Sequence, residues 1–504
     1  MNDIDLKTDK ASMADKAGAE PLRWNSIDWE KAESHVNRLQ TRIAMAASEG
    51  KWERVRKLQR QLTNSLHAKM VAVRRVTTNK GRKTPGVDGE LWNTPAKKMK
   101  AVLSLSGKGY KAKPLKRVYI EKKGGKNKKR PLGIPTMHDR AMQALYALAL
   151  EPVAEVTGDR HSYGFRKGRC AQDAYVQLFS NLGNKHSSEW VLEGDIKGCF
   201  DHISHDWLME HIPMDKKVLK QFLEAGFMEK GEWHETEEGT PQGGIISPIL
   251  ANMALDGIDR LLDERFHFNK SGKIDSNVAR KYKVNFVRYA DDFVITAISP
   301  EVAKEAKAIV AEFLLVRGLE LSEEKTLITH IRDRFDFLGW SFQKRGHKVI
   351  GKPSKQSVKS FLREMHYVIL RKGRTWTQEK LITELTPKIL GYVGYHRHAC
   401  SSDTYTRIDH EAYQMLYGWA KRRHGNKNKA WRRKKYWSRI GGRRYVFGHA
   451  HHYLPIAAWQ HIVRHPALKT DMNPFLNPEY FERRKTYIQD RNAHSFRQAA
   501  ARRS

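Results

Sequence analysis

Carboxylates stand where apolar, strand-like runs of this sequence end. In "VRYADDFVITA", residues 287–297, Asp291 and Asp292 interrupt a run that is otherwise typical of a buried strand. In "WVLEGDIKGCFD", residues 190–201, Asp195 ends a second apolar run. Short acidic side chains also tolerate hairpin turns, so a lone Asp-Asp pair is equally compatible with a plain turn. The second stretch favours chemistry, because two strand ends that carry carboxylates can converge.

Carboxylates that are crowded together need a counter-charge. They repel one another and raise one another's pKa values, so such a cluster persists when divalent cations neutralise it. Hard oxygen ligands that leave room for phosphate select Mg²⁺. Two such ions about 3.5 to 4 Å apart can activate an attacking 3′-hydroxyl and stabilise a leaving pyrophosphate. The pattern predicts nucleotidyl transfer, and the sequence has no GxxxxGK[ST], HExxH or GxSxG motif that would favour NTPase motors or common hydrolases.

The elements that must position these residues follow an α+β pattern. From about 115 to 350, short apolar runs with strand character alternate with helical stretches. Residues 24–76 have apolar positions at three-and-four spacing and predict two helices around a break at Gly50. Beyond about 353 the strand signals fade and helical patterns remain. Residues 1–22 are small, polar and aperiodic, which predicts a disordered tail.

The charge balance indicates a polyanionic partner. The 504 residues include 92 Lys+Arg and 56 Asp+Glu, a formal net charge of +36, which is far more than solubility requires. The stretch 421–444 combines basic residues with aromatics and has no acid, a composition that suits phosphates and stacking on bases. Nucleic acid is therefore the first candidate partner and an anionic membrane surface the second. No apolar run is long enough to predict a membrane span.

Cysteine usage and the N-terminus indicate a reducing, cytoplasmic setting. The cysteines are Cys170, Cys199 and Cys400, which leave no disulfide framework and no CxxC zinc pair. The first twenty residues mix acids and bases without an apolar core, which is untypical of a secretory signal or an Arg-rich transit peptide. We therefore expect a cytoplasmic protein.

Eight motifs follow one another along the chain: "GRKTPGVDG" (81–89), "KRPLGIPTMHDRAMQALYALALEP" (129–152), "HSYGFRKGRCAQDA" (161–174), "EGDIKGCFD" (193–201), "GTPQGGIISPILANMALDGID" (239–259), "RYADDFVI" (288–295), "LELSEEKTLI" (319–328) and "FDFLGW" (335–340). In this order they resemble the motifs of the reverse transcriptases encoded by group II introns, also called intron maturases. The resemblance implies a right-hand polymerase fold of the α+β class and an enzyme that copies intron RNA into cDNA. It also implies that the protein assists splicing of its host intron RNA.

The resemblance also implies a domain order. After the tail at 1–22, a helical N-terminal extension would occupy 23–85, and the fingers and palm would occupy 86–352. An all-helical thumb, or maturase domain, would span 353–435, and a basic nucleic-acid-binding region would span 436–504. The partners would be intron RNA, an RNA template with a DNA primer, target DNA and dNTP substrates. The sequence gives no indication of the oligomeric state.

The carboxylates match the family's metal ligands residue by residue. Asp195, Asp291 and Asp292 match the carboxylates that would hold two Mg²⁺ ions and catalyse the transfer. Asp292 is the less direct ligand, because adjacent strand side chains point to opposite faces unless a turn redirects them. Phe200 matches a bulky gate that would occupy the place of a ribose 2′-hydroxyl and so favour dNTPs. The alternative for Phe200 is a plain core aromatic.

Other matches would bind the nucleotide and the leaving group. Gln242 matches a contact to the incoming nucleotide, with Gly243 beside it allowing close backbone approach. Arg130 and Lys122 match fingers residues that would grip the triphosphate, although bases in this stretch can also form a solvated charged loop. Lys325 matches a lysine that would protonate the leaving pyrophosphate. Its alternative is a surface ion pair with a neighbouring glutamate.

The remaining matches concern the nucleic acid. Leu338, Gly339 and Trp340 match the primer grip, where Gly339 could allow close approach of the primer strand. The helical region after 353 resembles the family's thumb, and the basic aromatic stretch would bind intron RNA or target DNA. The basic residues expected to do so are Arg422, Arg423, Arg432, Arg433, Lys434 and Lys435.

Two other functions share part of this pattern. A domesticated or defence-associated reverse transcriptase without an intron would carry the same polymerase motifs. An RNA-binding splicing factor with lost or incidental polymerase activity would not need metal carboxylates, so the intact aspartates argue against it. Many family members end in an HNH endonuclease with paired cysteines, and no such pair follows Cys400, so we do not expect second-strand cleavage by this chain.

Overall fold

The computed structural model describes residues 23–121, 129–440, 442–449 and 451–501, the last eight as backbone only. The predicted disordered tail lies outside these residues. None of the described helices combines the length and apolarity that crossing a membrane requires. The helices are α1 (Trp29–Ser48), α2 (Trp52–Asn64), α3 (Leu66–Thr78), α4 (Pro95–Ser104), α5 (Met137–Thr157), α6 (Ala171–Gly183), α7 (Cys199–His202), α8 (His205–His211), α9 (Lys216–Leu223), α10 (Ser247–Leu255), α11 (Ile258–Phe266), α12 (Ser276–Tyr282), α13 (Pro300–Leu315), α14 (Lys355–Tyr367), α15 (Gln378–His396), α16 (Ser402–Arg423), α17 (Lys429–Tyr436) and α18 (Pro478–Ala501). The strands are β1 (Leu115–Glu121), β2 (Lys129–Ile134), β3 (Trp190–Asp195), β4 (Phe227–Glu229), β5 (Glu232–His234), β6 (Asn285–Tyr289), β7 (Asp292–Ala297), β8 (Leu327–His330), β9 (Phe335–Phe337), β10 (Trp340–Arg345), β11 (Lys348–Pro353), β12 (Trp437–Ile440), β13 (Arg443–His449) and β14 (His452–Tyr453).

The N-terminal helices α1, α2 and α3 pack on the buried helix α5. Two helices were predicted over 24–76, with a break at Gly50, and that break occurs. The structure adds a second break at Ser65, whose extended backbone separates α2 from α3. The Gln40 side chain donates to the carbonyl of Leu148 in α5 at 2.8 Å. The N-terminal helices therefore share one core with the region that follows.

The central sheet, of strand order β6-β7-β3-β8, carries both carboxylate stretches. β6 and β7 form a hairpin, and β7 also pairs with β3 so that Asp195 stands opposite Asp292. Leu192 and Ile295 belong to the large core on one side of the sheet, whereas Val191 belongs to a second core. Because both faces are covered, the strands are mostly apolar, and Asp195 and Asp292 come at strand ends.

The outer sheet has the strand order β2-β1-β4-β5. β1 pairs antiparallel with β2, parallel with β4, and β4 pairs antiparallel with β5. The N–H of Gly133 in β2 donates to the carbonyl of Gln242 at 2.9 Å, so this sheet is joined to the loop that precedes α10. Arg130 of β2 is thereby held beside Gln242.

The helices α14 to α17 form a separate core together with a small sheet. Tyr436, Trp437 and Phe447 are buried in the same core as residues of α15 and α16. The boundary predicted after residue 435 therefore cuts a packed unit. The expectation that strands end near 353 is also wrong, because β12, β13 and β14 form a sheet. These strands are short and carry arginines at their exposed positions, which hides the apolar alternation.

From residue 460 the chain returns to the first part of the fold, and we call residues 460–501 the C-terminal strap. Its Phe475 is buried, and the carbonyl of Phe475 accepts from the Thr41 hydroxyl of α1 at 3.1 Å. The N–H of Val463 donates to the carbonyl of Arg397 at 3.0 Å. Much of what the structure describes of the region predicted to bind nucleic acid, 436–504, thus packs on other parts of this chain. Its apolar residues are spaced among basic residues, which conceals that packing in the sequence.

Candidate active site

The adjacent aspartates lie at a two-residue turn between β6 and β7. Tyr289 pairs with Asp292, so Ala290 and Asp291 form the turn, and Ala290 has a φ of +59°. A positive φ is uncommon outside glycine and is typical of tight hairpin turns. Both interpretations of the sequence therefore hold together: the segment is a hairpin turn, and it places its carboxylates beside Asp195 on the neighbouring strand.

Burial and neighbouring negative charge raise the pKa values of Asp291 and Asp292. Burial raises the pKa of Asp292 to about 6, and the charges of Asp291 and Asp195 act in the same direction. Burial also raises the pKa of Asp291, the Asp195 charge adds to that rise, and Arg130 and Lys325 oppose it. The electrostatic repulsion expected from the sequence is thus present at this end of the central sheet.

Lys325 neutralises part of this charge. Its Nζ lies 2.7 Å from Oδ2 of Asp195, so the alternative of an ion pair with a neighbouring glutamate is wrong. The hydrogen bond to Asp195 raises the pKa of Lys325, which keeps the ammonium protonated. The N–H of Ser322 donates to the carbonyl of Asp195 at 2.8 Å, so the loop that carries Lys325 is fixed to the end of β3.

The carboxylates of Asp195, Asp291 and Asp292 fit a hard divalent cation, although they are not tightly clustered. Like-charged carboxylates at facing strand ends, with raised pKa values at Asp291 and Asp292, are the arrangement that such an ion stabilises. Within the described ranges, the group of three whose ligand atoms all lie within 4.8 Å of one another is a different one, Cys170, Asp173 and His465. Asp195, Asp291 and Asp292 are more widely spaced than that group.

The group of Cys170, Asp173 and His465 is an ion-pair cluster. Nε2 of His465 lies 2.8 Å from Oδ1 of Asp173, and the Arg484 guanidinium contacts the same carboxylate. Arg484 also lies 3.0 Å from that imidazole nitrogen, so a metal ion there would face its positive charge. Burial raises the pKa of the Cys170 thiol to about 12, which disfavours the thiolate that metals bind. The cluster joins the C-terminal strap to α6.

Phe200 lies directly beyond β3, in the short helix α7, after a turn at Gly198 with a φ of +54°. It is partly buried against the large core. Its ring meets the ring of Phe165 edge-on, with centroids 6.3 Å apart. Phe165 is 57% exposed and has a φ of +60°. The sequence analysis did not single out Phe165, although an aromatic directly after a glycine in "HSYGFRKG" was a usable signal.

Gln242 connects the outer sheet to the segment that follows Phe200. Nε of Arg130 donates to its Oε1 at 2.7 Å, and its Nε2 donates to Oδ1 of Asp201 at 2.6 Å. Arg130 and Gln242 thus lie together, as expected, whereas Lys122 lies outside the described residues. Asp201 was not predicted as part of this chain of contacts, and its position next to Phe200 was the available signal.

Gly243 allows this loop to approach the outer sheet. Its φ is +116°, and a Cβ at this position would lie 2.9 Å from the carbonyl oxygen of Gly133 in β2. A side chain there would need both an unfavourable backbone conformation and a displaced strand. The close backbone approach that Gly243 allows in this structure is to strand β2.

The "FLGW" segment forms the turn between β9 and β10. Leu338 and Gly339 have φ values of +50° and +81° and are half-buried. Trp340 is fully buried, and its ring stacks on Tyr395 with centroids 4.6 Å apart. The Tyr395 hydroxyl donates to the carbonyl of Leu338 at 2.9 Å. Leu338 and Gly339 are therefore the members that can meet a ligand, and Trp340 anchors the turn.

A fully buried arginine, Arg288, contacts the backbone of the turn that carries Asp291. Arg288 pairs with the buried carboxylate of Asp256 and donates to Oδ1 of Asn252 at 3.1 Å. It also donates to the carbonyl of Ala290, in the turn itself, at 3.3 Å. Burial raises the pKa of nearby Asp159 to about 7, with the charge of Asp256 in the same direction. The sequence analysis missed this network, although an arginine inside the apolar run "NFVRYA" was a signal.

The six basic residues predicted to bind nucleic acid differ in exposure. Arg432 is only 7% exposed and donates to the carbonyl of His424 at 3.1 Å. Arg433 is partly buried, and its Nε donates to the Tyr413 hydroxyl at 3.0 Å. The buried Arg432 therefore fixes α17 to the end of α16 and is not free to bind phosphate. The exposed members are Arg422, Arg423, Lys434 and Lys435.

Three family models match the chain. The model described as reverse transcriptase (RNA-dependent DNA polymerase) matches 120–342, and the N-terminal domain of reverse transcriptase matches 24–105. The maturase-specific domain of group II introns matches 358–437. Together these matches run from the N-terminal helices through the helical domain.

Curated relatives extend the same similarity. The group II intron-encoded protein LtrA of Lactococcus lactis subsp. cremoris is 29% identical over 434 residues, which covers 69% of this chain and 71% of LtrA. The protein YkfC of Escherichia coli (strain K12) is 33% identical over 354 residues, which covers 64% of this chain and 90% of YkfC. The putative COX1/OXI3 intron 1 protein of Saccharomyces cerevisiae is 31% identical over 309 residues, 52% of this chain and 36% of that protein.

Proposed function

Since this chain belongs to the group II intron-encoded reverse transcriptases and maturases, RNA-directed DNA polymerases that also assist intron splicing, we propose that it copies intron RNA into cDNA at the end of its central sheet. The observation that carries this proposal is the strand register. Asp195 stands opposite Asp292, with Asp291 in the adjoining turn. The match to a maturase-specific domain favours an intron maturase over a defence-associated reverse transcriptase.

Two Mg²⁺ ions suit this donor set, and Asp195, Asp291 and Asp292 would hold them. When bound, they would activate the primer 3′-hydroxyl and stabilise the leaving pyrophosphate. Lys325 is bonded to Asp195 at 2.7 Å and its side chain is 65% exposed, so it is free to turn toward a ligand. The Nζ ammonium is protonated at neutral pH, and it would give its proton to the pyrophosphate.

The incoming dNTP would lie between the outer and central sheets. Arg130 would bind the triphosphate with Lys122, and Gln242 would contact the nucleotide from its position between Arg130 and Asp201. Phe200 would stand against the sugar, supported on its far side by Phe165. The hydrogen bonds of Arg130 and Gln242 and the ring contact of Phe200 support these roles.

The parts of the fold correspond to a right hand. The outer sheet would be the fingers, the central sheet the palm, and the helices α14 to α17 with the small sheet the thumb. The thumb would then extend from 353 to about 459, since residues beyond 435 share its core. Leu338 and Gly339 would contact the DNA primer, and Trp340 would support them.

The exposed basic residues of the thumb would bind intron RNA or target DNA. Lys434 and Lys435 project from α17, and Arg422 and Arg423 lie at the end of α16. Phosphate contacts of this kind supply affinity that falls with salt. Splicing assistance requires this binding alone, because the RNA provides its own catalytic groups.

Removal of divalent cations will stop DNA synthesis and leave RNA binding in place. The purified chain, given an RNA template, a DNA primer and dNTPs, should extend the primer in Mg²⁺. Excess EDTA should abolish extension, because the carboxylates cannot orient substrate oxygens without a cation. Added Mg²⁺ should restore it. Extension that continues in EDTA would overturn the metal assignment, and filter binding of the same RNA in EDTA is the control.

Replacing Phe200 by valine will relax sugar selection. The smaller side chain leaves space for a ribose 2′-hydroxyl, and steric selection in a pocket is worth about 10- to 200-fold. We expect the ratio of kcat/KM for dNTPs to that for rNTPs to fall by at least about tenfold. Phe179→Val, which alters an exposed aromatic of α6, is the matched control. An unchanged ratio in Phe200→Val would mean that Phe200 is a core aromatic.

A further inference from the structure

A pocket of about 350 Å³ opens in the thumb, away from the aspartates. It lies between α16, α17 and β13, and its floor is formed by the buried side chains of Leu416, Trp437 and Phe447. Its volume falls within the range of pockets that hold small ligands. None of the proposed polymerase residues lines it, so its purpose lies outside nucleotidyl transfer.

Tyr445 forms part of the pocket wall in a strained conformation. It has a φ of +64° within β13, and 45% of its surface is exposed. A left-handed backbone is unfavourable for an aromatic residue, and such strain is concentrated at functional sites. The Arg433 guanidinium lies 4.4 Å from the Tyr445 ring centroid, while its Nε donates to the Tyr413 hydroxyl. The ring is thus held in place by Arg433 and remains partly exposed.

The charge around the pocket is positive. Arg443 pairs with Asp409 at 3.2 Å, and the Asp409 carboxylate also accepts from the N–H groups of Ala457 and Ala458. The one carboxylate of the lining is therefore fully engaged. Arg444 is exposed, and among the residues that the structure describes no carboxylate lies within 4.0 Å of it. Arg444 thus remains available to an anionic ligand.

An exposed tyrosine beside an unpaired arginine, over an apolar floor, matches one kind of ligand. A flat base can stack on the ring while its phosphate pairs with the guanidinium, and proteins read single-stranded RNA in this way. Duplex RNA keeps its bases stacked and would offer phosphates only. An acidic peptide would use the arginine but would leave the tyrosine and the apolar floor unmatched.

We propose that this pocket binds an unstacked nucleotide from a single-stranded part of an RNA, with its base on Tyr445 and its phosphate on Arg444. The inference rests on the proposed intron RNA partner and deepens it: the thumb then selects RNA that presents a free base, in addition to attracting phosphates. The exposed lysines of α17 supply general affinity, and the pocket discriminates between single strands and duplexes.

The test compares single-stranded with duplex RNA on the full-length chain. The enzyme is first loaded with an RNA template annealed to a DNA primer, so that the polymerase site is occupied. A labelled 20-nucleotide RNA strand, or a duplex of the same sequence, is then titrated. Tyr445→Ala should raise the Kd for the single strand about tenfold, the loss expected for one stacked base, and leave the Kd for the duplex within about twofold. Tyr445→Phe should retain binding.

Two further variants make the outcome decisive. Arg444→Ala is an exposed change that leaves the fold intact, and it should weaken the single strand more than the duplex. Lys434→Ala should weaken both RNAs alike and lower the salt dependence of binding. Equal weakening of both RNAs by Tyr445→Ala, or no change with either pocket variant, would overturn the proposal. Displacement of the single strand by poly-glutamate at equal charge would assign the pocket to an acidic peptide.

Primer extension separates this inference from the proposed function. Tyr445→Ala should extend a short, preannealed primer at a rate within about twofold of the unaltered chain, because the pocket takes no part in transfer. An unaltered chain that cannot extend a primer would contradict the polymerase assignment and leave the binding comparison valid. A normal polymerase with no single-strand preference would contradict the pocket alone.

Discussion

Primer extension on an RNA template will fall by more than about 10³-fold when Asp291 and Asp292 are both replaced by alanine, since the cations proposed to bind there would supply several kcal/mol of transition-state stabilisation. The two carboxylates lie at the β6–β7 turn beside Asp195, where burial and mutual repulsion already raise the pKa of Asp292 to about 6. Removing them relieves that repulsion, so we expect no loss of stability. Single-turnover extension with a labelled primer measures the effect.

RNA affinity should stay within about twofold in the same variant, because phosphate contacts, and not the aspartates, hold the RNA. Asp471→Ala with Asp490→Ala removes two exposed carboxylates from the C-terminal strap and controls for the change in charge. Full extension by the Asp291 and Asp292 double variant would refute the active-site assignment. Retained extension by Asp291→Asn alone would instead mean that Asp195 and Asp292 are sufficient for catalysis.

Replacing Arg288 by methionine will lower the free energy of unfolding by about 3–5 kcal/mol, the usual cost of removing one partner of a buried ion pair. Arg288 is fully buried, and its guanidinium contacts Asp256, Asn252 and the carbonyl of Ala290. Without it, Asp256 becomes an unpaired charge in the core. Guanidinium unfolding followed by tryptophan fluorescence measures the loss.

Arg288→Met combined with Asp256→Leu should recover most of that stability, since both buried charges are then removed. Arg280→Met, at an exposed arginine of α12, is the matched control and should change stability by less than about 0.5 kcal/mol. If Arg288→Met is as stable as the control, the buried pair does not support the aspartate turn. Because Arg288 holds the carbonyl of Ala290, the recovered double variant should still extend primers poorly.

Local pattern was enough to predict the hairpin around Asp291 and the strand that ends at Asp195. Alternating and continuous apolar runs report burial of the strand faces directly, and a polar pair inside such a run marks its turn. The break at Gly50 follows from the same reasoning. The break at Ser65 did not, because Ser65 lies inside a continuous helical pattern and its extended backbone depends on how α2 and α3 pack on α5.

Sequence pattern did not predict which basic residues are buried. Arg288, Arg432 and Arg484 look alike in the sequence as charges for solvent or phosphate, yet each is buried or nearly so and each is engaged inside the protein. Burial of a charge depends on whether another segment supplies its partner. Arg484 meets Asp173, which lies 311 residues away in the chain.

The sequence by itself determined the kind of chemistry and predicted the residues proposed to carry it, because carboxylates at strand ends and motifs in order depend on neighbours in the chain. Only the tertiary structure decided that Lys325 pairs with Asp195, that Gln242 links Arg130 to Asp201, and that the C-terminal strap packs on α6. Each of these contacts joins segments far apart in sequence. Their formation depends on the packing of whole elements, which no local pattern records.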